Sequence, residues 1–180
     1  MFREHGIEVP VAEIAEAAGV GRGTLFRNFP TKDHLIAAVV SELMLDAVDQ
    51  ERGKLAESTD DAELTFDLIG DIAVHQHANR SLLESISDEF LAYPEMCEAH
   101  EAFMELLAEA LRRSQAAGSV RPEITPMDVM MLMKGICMNP IFEADPSSEL
   151  MTRQIELIRA AISTPAFSRP LRGTPPPVPA

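Results

Sequence analysis

The sequence predicts an all-α fold, with a three-helix helix-turn-helix unit at the N-terminus and a larger helical unit after it. Three observations predict it. Helix formers such as Ala, Leu, Glu and Met dominate the 180 residues, while strand-favouring aromatics are few, with no Trp, one Tyr and eight Phe. Apolar residues recur at steps of three and four along most of the chain. Gly and Pro stand at the ends of several of these runs, where they stop or start helices. With 46% hydrophobic residues the chain can bury a core of its own.

The elements follow in order. Val11–Ala18 reads as a short helix with Ile14, Ala15 and Ala18 inward, stopped by Gly19. Val20 and Gly21 form the turn. Arg22–Phe29 reads as a second short helix with Leu25 inward, ended by Pro30. Thr31 is placed to cap a third helix, with Asp33 in its first turn, and Leu35, Ile36, Val39, Val40, Leu43 and Ala47 form its apolar face. That helix is expected to fray near Gly53. Asp60 and Glu63 have the spacing of a capping box for a helix through Leu64, Leu68, Ile69 and Ile72. A further segment carries Leu82, Leu83, Ile86 and Phe90. Pro94 suits the first turn of a helix that runs to Gly118. Thr125-Pro126-Met127-Asp128 and Asp145-Pro146 are two more helix starts, the latter followed by Met151, Ile155, Ile158 and Ile162 at helical spacing. From Thr164 the apolar period is lost, and the Pro-rich end is expected to be disordered or extended.

Charge narrows the function classes. The net charge of −14 opposes general adhesion to nucleic acid. The distribution is uneven, however. No acid lies between Ala17 and Lys32, and Arg22, Arg27 and Lys32 all fall there. An acidic body with one basic patch favours a small, defined contact. Cys97 and Cys137 lie far apart with no paired spacing, which argues against a disulfide framework and a thiolate metal site. No signal peptide is evident and no apolar run reaches the roughly 18 residues of a membrane helix, so the expected compartment is the cytoplasm. Catalytic, metal-site and nucleotide-loop signatures are missing, and the expectation is a non-enzyme with no cofactor.

Two short helices joined at a Gly-containing turn are the helix-turn-helix pattern. The second helix must enter a major groove, so its outward side chains need to be compact and polar. Arg22, Thr24, Arg27 and Asn28 meet that need, since Arg can grip a guanine edge and Asn an adenine edge. Phe26 offers a ring to a sugar or a thymine methyl, and Lys32 suits a phosphate.

The stretch IAEAAGVGRGTLFRNFPTKDHL (residues 14–35) resembles the TetR family of transcriptional regulators nearly residue by residue, across its second helix, turn, recognition helix and entry to the fourth. The resemblance implies a DNA-binding domain over residues 1–45, a helical effector-binding and dimerisation domain over 46–163 and a tail over 164–180. It assigns recognition to Arg22, Gly23, Thr24, Phe26, Arg27 and Asn28, and phosphate contact to Lys32. It also implies a homodimer on a pseudo-palindromic operator, with repression relieved by a small effector. Three departures accompany it. Phe26 stands where the family usually has Tyr, Gly21 where it usually has Ser, and MFREHG resembles the end of a first helix whose earlier residues this sequence lacks.

The dimer contact implied by the family lies on the last two helices, represented by Met133, Ile136, Ile155 and Ile158. The helix with Met127, Met130, Met131, Met133 and Met138 reads equally as pocket lining, dimer seam or core. An effector pocket is expected among residues 60–140, with Phe66, Ile69, Leu82, Phe90, Phe103 and Met130 as apolar candidates and His75 as a polar handle. That set favours a lipophilic effector. Glu98, Glu101, Glu105 and Glu109 read as a solvated face. The alternative is a dimeric small-molecule binding module whose DNA binding is weak or lost because of its shortened N-terminus.

Overall fold

A computed structural model describes residues 9–79, 92–137 and 149–171, apart from the side chains of His77, Ile136, Cys137 and Leu150. Among the described residues there are seven helices: α1 (Val11–Ala17), α2 (Arg22–Asn28), α3 (Lys32–Glu57), α4 (Leu64–Ala78), α5 (Pro94–Ala116), α6 (Pro126–Cys137) and α7 (Glu149–Ile162). None is long and apolar enough to cross a membrane.

The chain divides into two units. One draws on residues 1–48 and 79–103, the other on 49–78 and 104–180. In the first unit Ala15, Leu25, Leu35, Ile36, Ala37, Val40 and Met96 are buried together, with Ile14, Phe29 and Tyr93 packed against them. The three- and four-residue apolar steps of α1, α2 and α3 converge on this core. In the second unit α4 packs against α6 and α7, and α6 packs against α7.

Two glycines end helices as the sequence predicts. Gly19 (φ 68°) and Gly118 (φ 79°) have left-handed backbones. After α1 the N–H groups of Gly19 and Val20 donate to the carbonyls of Glu16 and Ala15, and after α5 those of Gly118 and Ser119 donate to Gln115 and Ser114. Both are Schellman closures, which satisfy carbonyls the helix leaves open. At the start of α6, Asp128 N–H donates to Thr125 Oγ1 at 3.2 Å and Thr125 N–H to Asp128 Oδ2 at 2.8 Å, the reciprocal capping box.

Several expectations need correction. α3 does not fray at Gly53 but continues to Glu57. Its last turns are held by the Lys54–Glu51 ion pair and by burial of Leu55, which together outweigh one glycine's unfavourable helix propensity. Asp60 and Glu63 do not form a capping box. Asp60 Oδ1 accepts from Ala62 N–H at 3.1 Å, while the Glu63 carboxylate is taken by Arg159 at 2.6 Å. A charge-assisted bond to a buried guanidinium outcompetes a backbone amide. The segment holding Leu82 to Phe90 and the start at Asp145-Pro146 lie outside the described residues.

After α7 the chain is anchored as far as it is described. Thr164 N–H donates to Ser119 O at 2.9 Å, a single antiparallel bridge joins Val120 to Ser163, and Arg169 bonds both carboxylate oxygens of Glu156. Arg113 fastens the α3–α4 connection, bonding Asp61 and the Leu55 carbonyl. Buried Ser114 accepts from Thr65 Oγ1 at 3.0 Å and donates to Asp61 O at 2.9 Å, so these polar groups leave water without losing partners.

Candidate nucleic-acid interface and ligand cleft

α2 is short, and its sequence divides it cleanly. Leu25 points inward at 7% exposure, while Arg22, Gly23, Thr24, Arg27 and Asn28 are all exposed. Phe26 keeps 41% of its surface in solvent, unusual for an aromatic side chain without a partner. Gly21 is the N-cap of α2 and supplies no side-chain bond, as its substitution for Ser implies. The Thr24 and Leu25 N–H groups are instead satisfied by the Gly21 carbonyl at 2.9 and 3.1 Å. Lys32 opens α3 and is half-buried. Thr31 caps that helix, accepting from His34 N–H at 3.3 Å, and Thr31 Oγ1 also lies 2.7 Å from His34 Nδ1. The His34 ring meets Tyr93 edge-on at 4.8 Å, which ties the start of α3 to the residues before α5. All seven residues expected at a nucleic-acid contact thus lie on α2 or at the first residue of α3, and a polar, basic, acid-free face stands over an apolar core.

The second unit holds a cleft of about 550 Å³ bounded by the end of α3, by α4, by α7 and by Arg169. Of the apolar pocket candidates, Phe66 and Ile69 line it. His75 lies beyond it on α4, and Phe103 and Met130 are half-buried outside it. Leu82 and Phe90 fall outside the described residues. The cleft is more highly charged than an apolar list expects. Glu51, Lys54, Glu63, Asp67, Asp71, Arg159 and Arg169 line it beside Leu55, Phe66, Ile69 and Ile155.

Most of these charges are paired. Arg159 is 5% exposed, grips both Glu63 oxygens at 2.6 Å and lies 3.9 Å above the Phe66 ring centre. That bond holds the Glu63 carboxyl below its ordinary range despite partial burial. Lys54 bridges Asp71 at 2.6 Å and Glu51 at 2.7 Å, which raises its affinity for its proton. Among the described residues Asp67 makes no ion pair. Partial loss of water around its otherwise exposed side chain, then the like charges of Glu63 and Asp71, push its carboxyl up from the ordinary value, against the opposing pull of Arg159. These charged residues were missed by a reading that sought apolar lining. The available signal was the run Glu63, Asp67, Asp71 at four-residue spacing, from the residue before α4 into its largely apolar first half.

The residues expected at a dimer seam lie in different surroundings within the single chain. Met133 and Ile158 are 3% and 5% exposed within the single chain, so they serve its own core and offer little surface to a partner. Ile155 lines the cleft, and the Ile136 side chain lies outside the described set. Among the described residues, the large apolar side chains exposed on the same helices are Met127, Met131 and Leu132 on α6 and Leu157 on α7.

Comparison with known proteins adds two family matches. Residues 1–39 match the model described as bacterial regulatory proteins, tetR family, and residues 60–160 match that of the transcriptional regulator SbtR-like C-terminal domain. A TetR transcription regulatory protein from Mycobacterium vanbaalenii is similar at 27% identity and TM-score 0.60, over 91% of this chain and 88% of that one. A TetR transcriptional regulator from Streptomyces coelicolor is similar at 25% identity and TM-score 0.63, over 91% and 93%. The fatty acid degradation regulator FadR from Bacillus halodurans shares the fold at 21% identity and TM-score 0.63, over 89% and 93%. A search of curated proteins finds no match.

Proposed function

The chain belongs to the TetR family of transcriptional regulators, and from that premise we propose that it is a repressor acting as a homodimer on a pseudo-palindromic operator. Members of this family are transcription factors and not enzymes, so the work to be explained is binding. The observation that carries the reading is the exposed face of α2. Arg22, Thr24, Phe26, Arg27 and Asn28 stand out from a helix whose Leu25 is buried, in a stretch without acids. Arg27 and Asn28 read base edges, Gly23 lets the backbone approach closely, and Lys32 takes a phosphate.

A dimer places two such helices about 34 Å apart, one turn of DNA, and so reads two half-sites. The exposed row Met127, Met131, Leu132 and Leu157 on α6 and α7 supports a four-helix seam with a second copy. A small effector in the second unit releases the operator by favouring a conformer with the wrong spacing. The uncapped start of α2 and the missing hydroxyl at Phe26 favour a modest affinity for the operator.

Fluorescence anisotropy with the chain's own upstream DNA tests this. Arg27→Ala is expected to weaken binding about tenfold or more, in line with the roughly 1–3 kcal/mol of a bidentate base contact. Unchanged affinity in that variant, or no binding by the parent protein at low salt, would falsify the assignment of α2.

A further inference from the structure

The cleft of the second unit is walled unevenly. Among the described residues, every lining residue but one lies on α3, α4 or α7 or in the α3–α4 connection. Those walls are held in place by buried side chains, among them Leu55, Leu64, Ile69 and Ile158. The exception is Arg169, which comes from the irregular chain beyond α7. That chain is fixed at its root, where Thr164 N–H and Oγ1 donate to the Ser119 and Gly118 carbonyls at 2.9 and 2.8 Å. Past the root it is held lightly. Residues 165–171 are exposed apart from half-buried Phe167, whose N–H bonds back to Thr164 O. Among the described residues, their hydrogen bonds to other elements are those of Arg169, which donates to the two carboxylate oxygens of Glu156 at 2.7 and 3.3 Å. Glu156 itself is 6% exposed.

We propose that residues 165–171 form a strap that gates this cleft, with the Arg169–Glu156 pair as its latch and the junction of Thr164 with Gly118 and Ser119 as its root. The two partners of the latch differ in how they are held. Glu156 is fixed on α7 and withdrawn from water, so its carboxylate is stabilised by the cation brought to it and stranded without one. Arg169 rides on a segment with little buried area, and its side chain keeps 38% of its surface in solvent. Releasing it moves the strap alone, whereas opening the cleft from any other side parts helices that bury a core. The closed state is therefore favoured by a shallow margin, set by one partly exposed charge pair that salt screens. With the latch undone, the wall at Ile155 is open to solutes. The gate is a property of the folded second unit and does not depend on what α2 binds.

Thiol labelling of the full chain tests the gate. Ile155→Cys places a thiol on the cleft wall, combined with Cys137→Ser and with exposed Cys97 kept as an internal reference. Labelling by N-ethylmaleimide is followed site by site by mass spectrometry. Arg169→Gln and Glu156→Gln are each expected to speed labelling at position 155 about fivefold while leaving Cys97 unchanged, with Arg169→Lys between the latched chain and Arg169→Gln. Raising salt should speed labelling at position 155 in the latched chain and not in Arg169→Gln, because only the former has a pair to screen. Ala110→Cys, at a fully buried site of α5 in the same unit, should stay unlabelled in every background, which separates movement of the strap from unfolding. Equal labelling at position 155 with and without the latch overturns the proposal. So does labelling at position 110 that rises in step with it, or the same salt response in Arg169→Gln as in the latched chain.

Discussion

Gly19 closes α1 at φ 68°, a conformation that a residue with a Cβ enters only at a cost of about 1 kcal/mol. No atom crowds that position, so the penalty is purely one of backbone conformation. Gly19→Ala is therefore expected to lower the melting temperature by several degrees, read by circular dichroism, without abolishing the fold. Asp67 behaves in the opposite sense. Its carboxyl is pushed up, so the folded chain holds that proton more tightly than the unfolded chain does. Ionised Asp67 thus costs stability at neutral pH, and the cost is relieved as pH falls through its raised value. Asp67→Asn should melt higher than the parent by about a degree or two at pH 7, a modest gain because the side chain is exposed. The difference should shrink to nothing below the ordinary aspartate range. An unchanged gap at low pH would place the effect elsewhere.

At the scale of elements, the tie between the start of α4 and α7 rests on Glu63 and Arg159. The guanidinium is almost wholly buried and the carboxylate about two-thirds so. Breaking such a pair strands a buried charge. Glu63→Gln is expected to cost about 2 kcal/mol, less than the 3–5 kcal/mol of a fully buried pair because solvent still reaches Glu63. The Glu63 carboxyl is depressed, so its contribution is complete above the ordinary carboxylate range and is lost as pH falls through the lowered value. Urea melts of the parent and Glu63→Gln should therefore differ at pH 7 and converge in acid. Adding Arg159→Met to Glu63→Gln should restore much of the loss, because no unpaired charge then remains. α3 carries a different lesson: Gly53 was legible as a weak point, yet Leu55 and the Lys54 bridges carry the helix past it, and neither was visible from local propensity.

For the molecule as a whole, the proposed dimer is the feature on which the proposed operator recognition turns. Met131 is 64% exposed, the most exposed of the large apolar side chains among the described residues. A charge there is harmless to a monomer but is desolvated in an apolar seam. Met131→Glu is expected to halve the mass measured by sedimentation while leaving helicity intact, and to weaken operator binding with it. A variant that stays dimeric would move the seam off this row. The −14 charge of each chain adds mutual repulsion, so association should also strengthen as salt rises from low concentration, opposite to the salt response of the DNA contact.

The positions of most helices and the outward set on α2 were legible in the residues themselves. Apolar spacing, a Gly at a left-handed stop and a Pro at a helix end act over one or two turns, and a chain carries that information locally. The exposed face of α2, the proposed recognition face, follows in the same way, since burial of Leu25 dictates where Arg22, Thr24, Arg27 and Asn28 must point. Packing decided what local pattern does not contain. It sent Met133 and Ile158 inward, left Met131 and Leu157 outside, and joined Glu63 to an arginine 96 residues away. A periodic row of carboxylates at the start of α4 can be read off the sequence. Which of them finds a cation depends on side chains that only the folded chain brings within bonding distance.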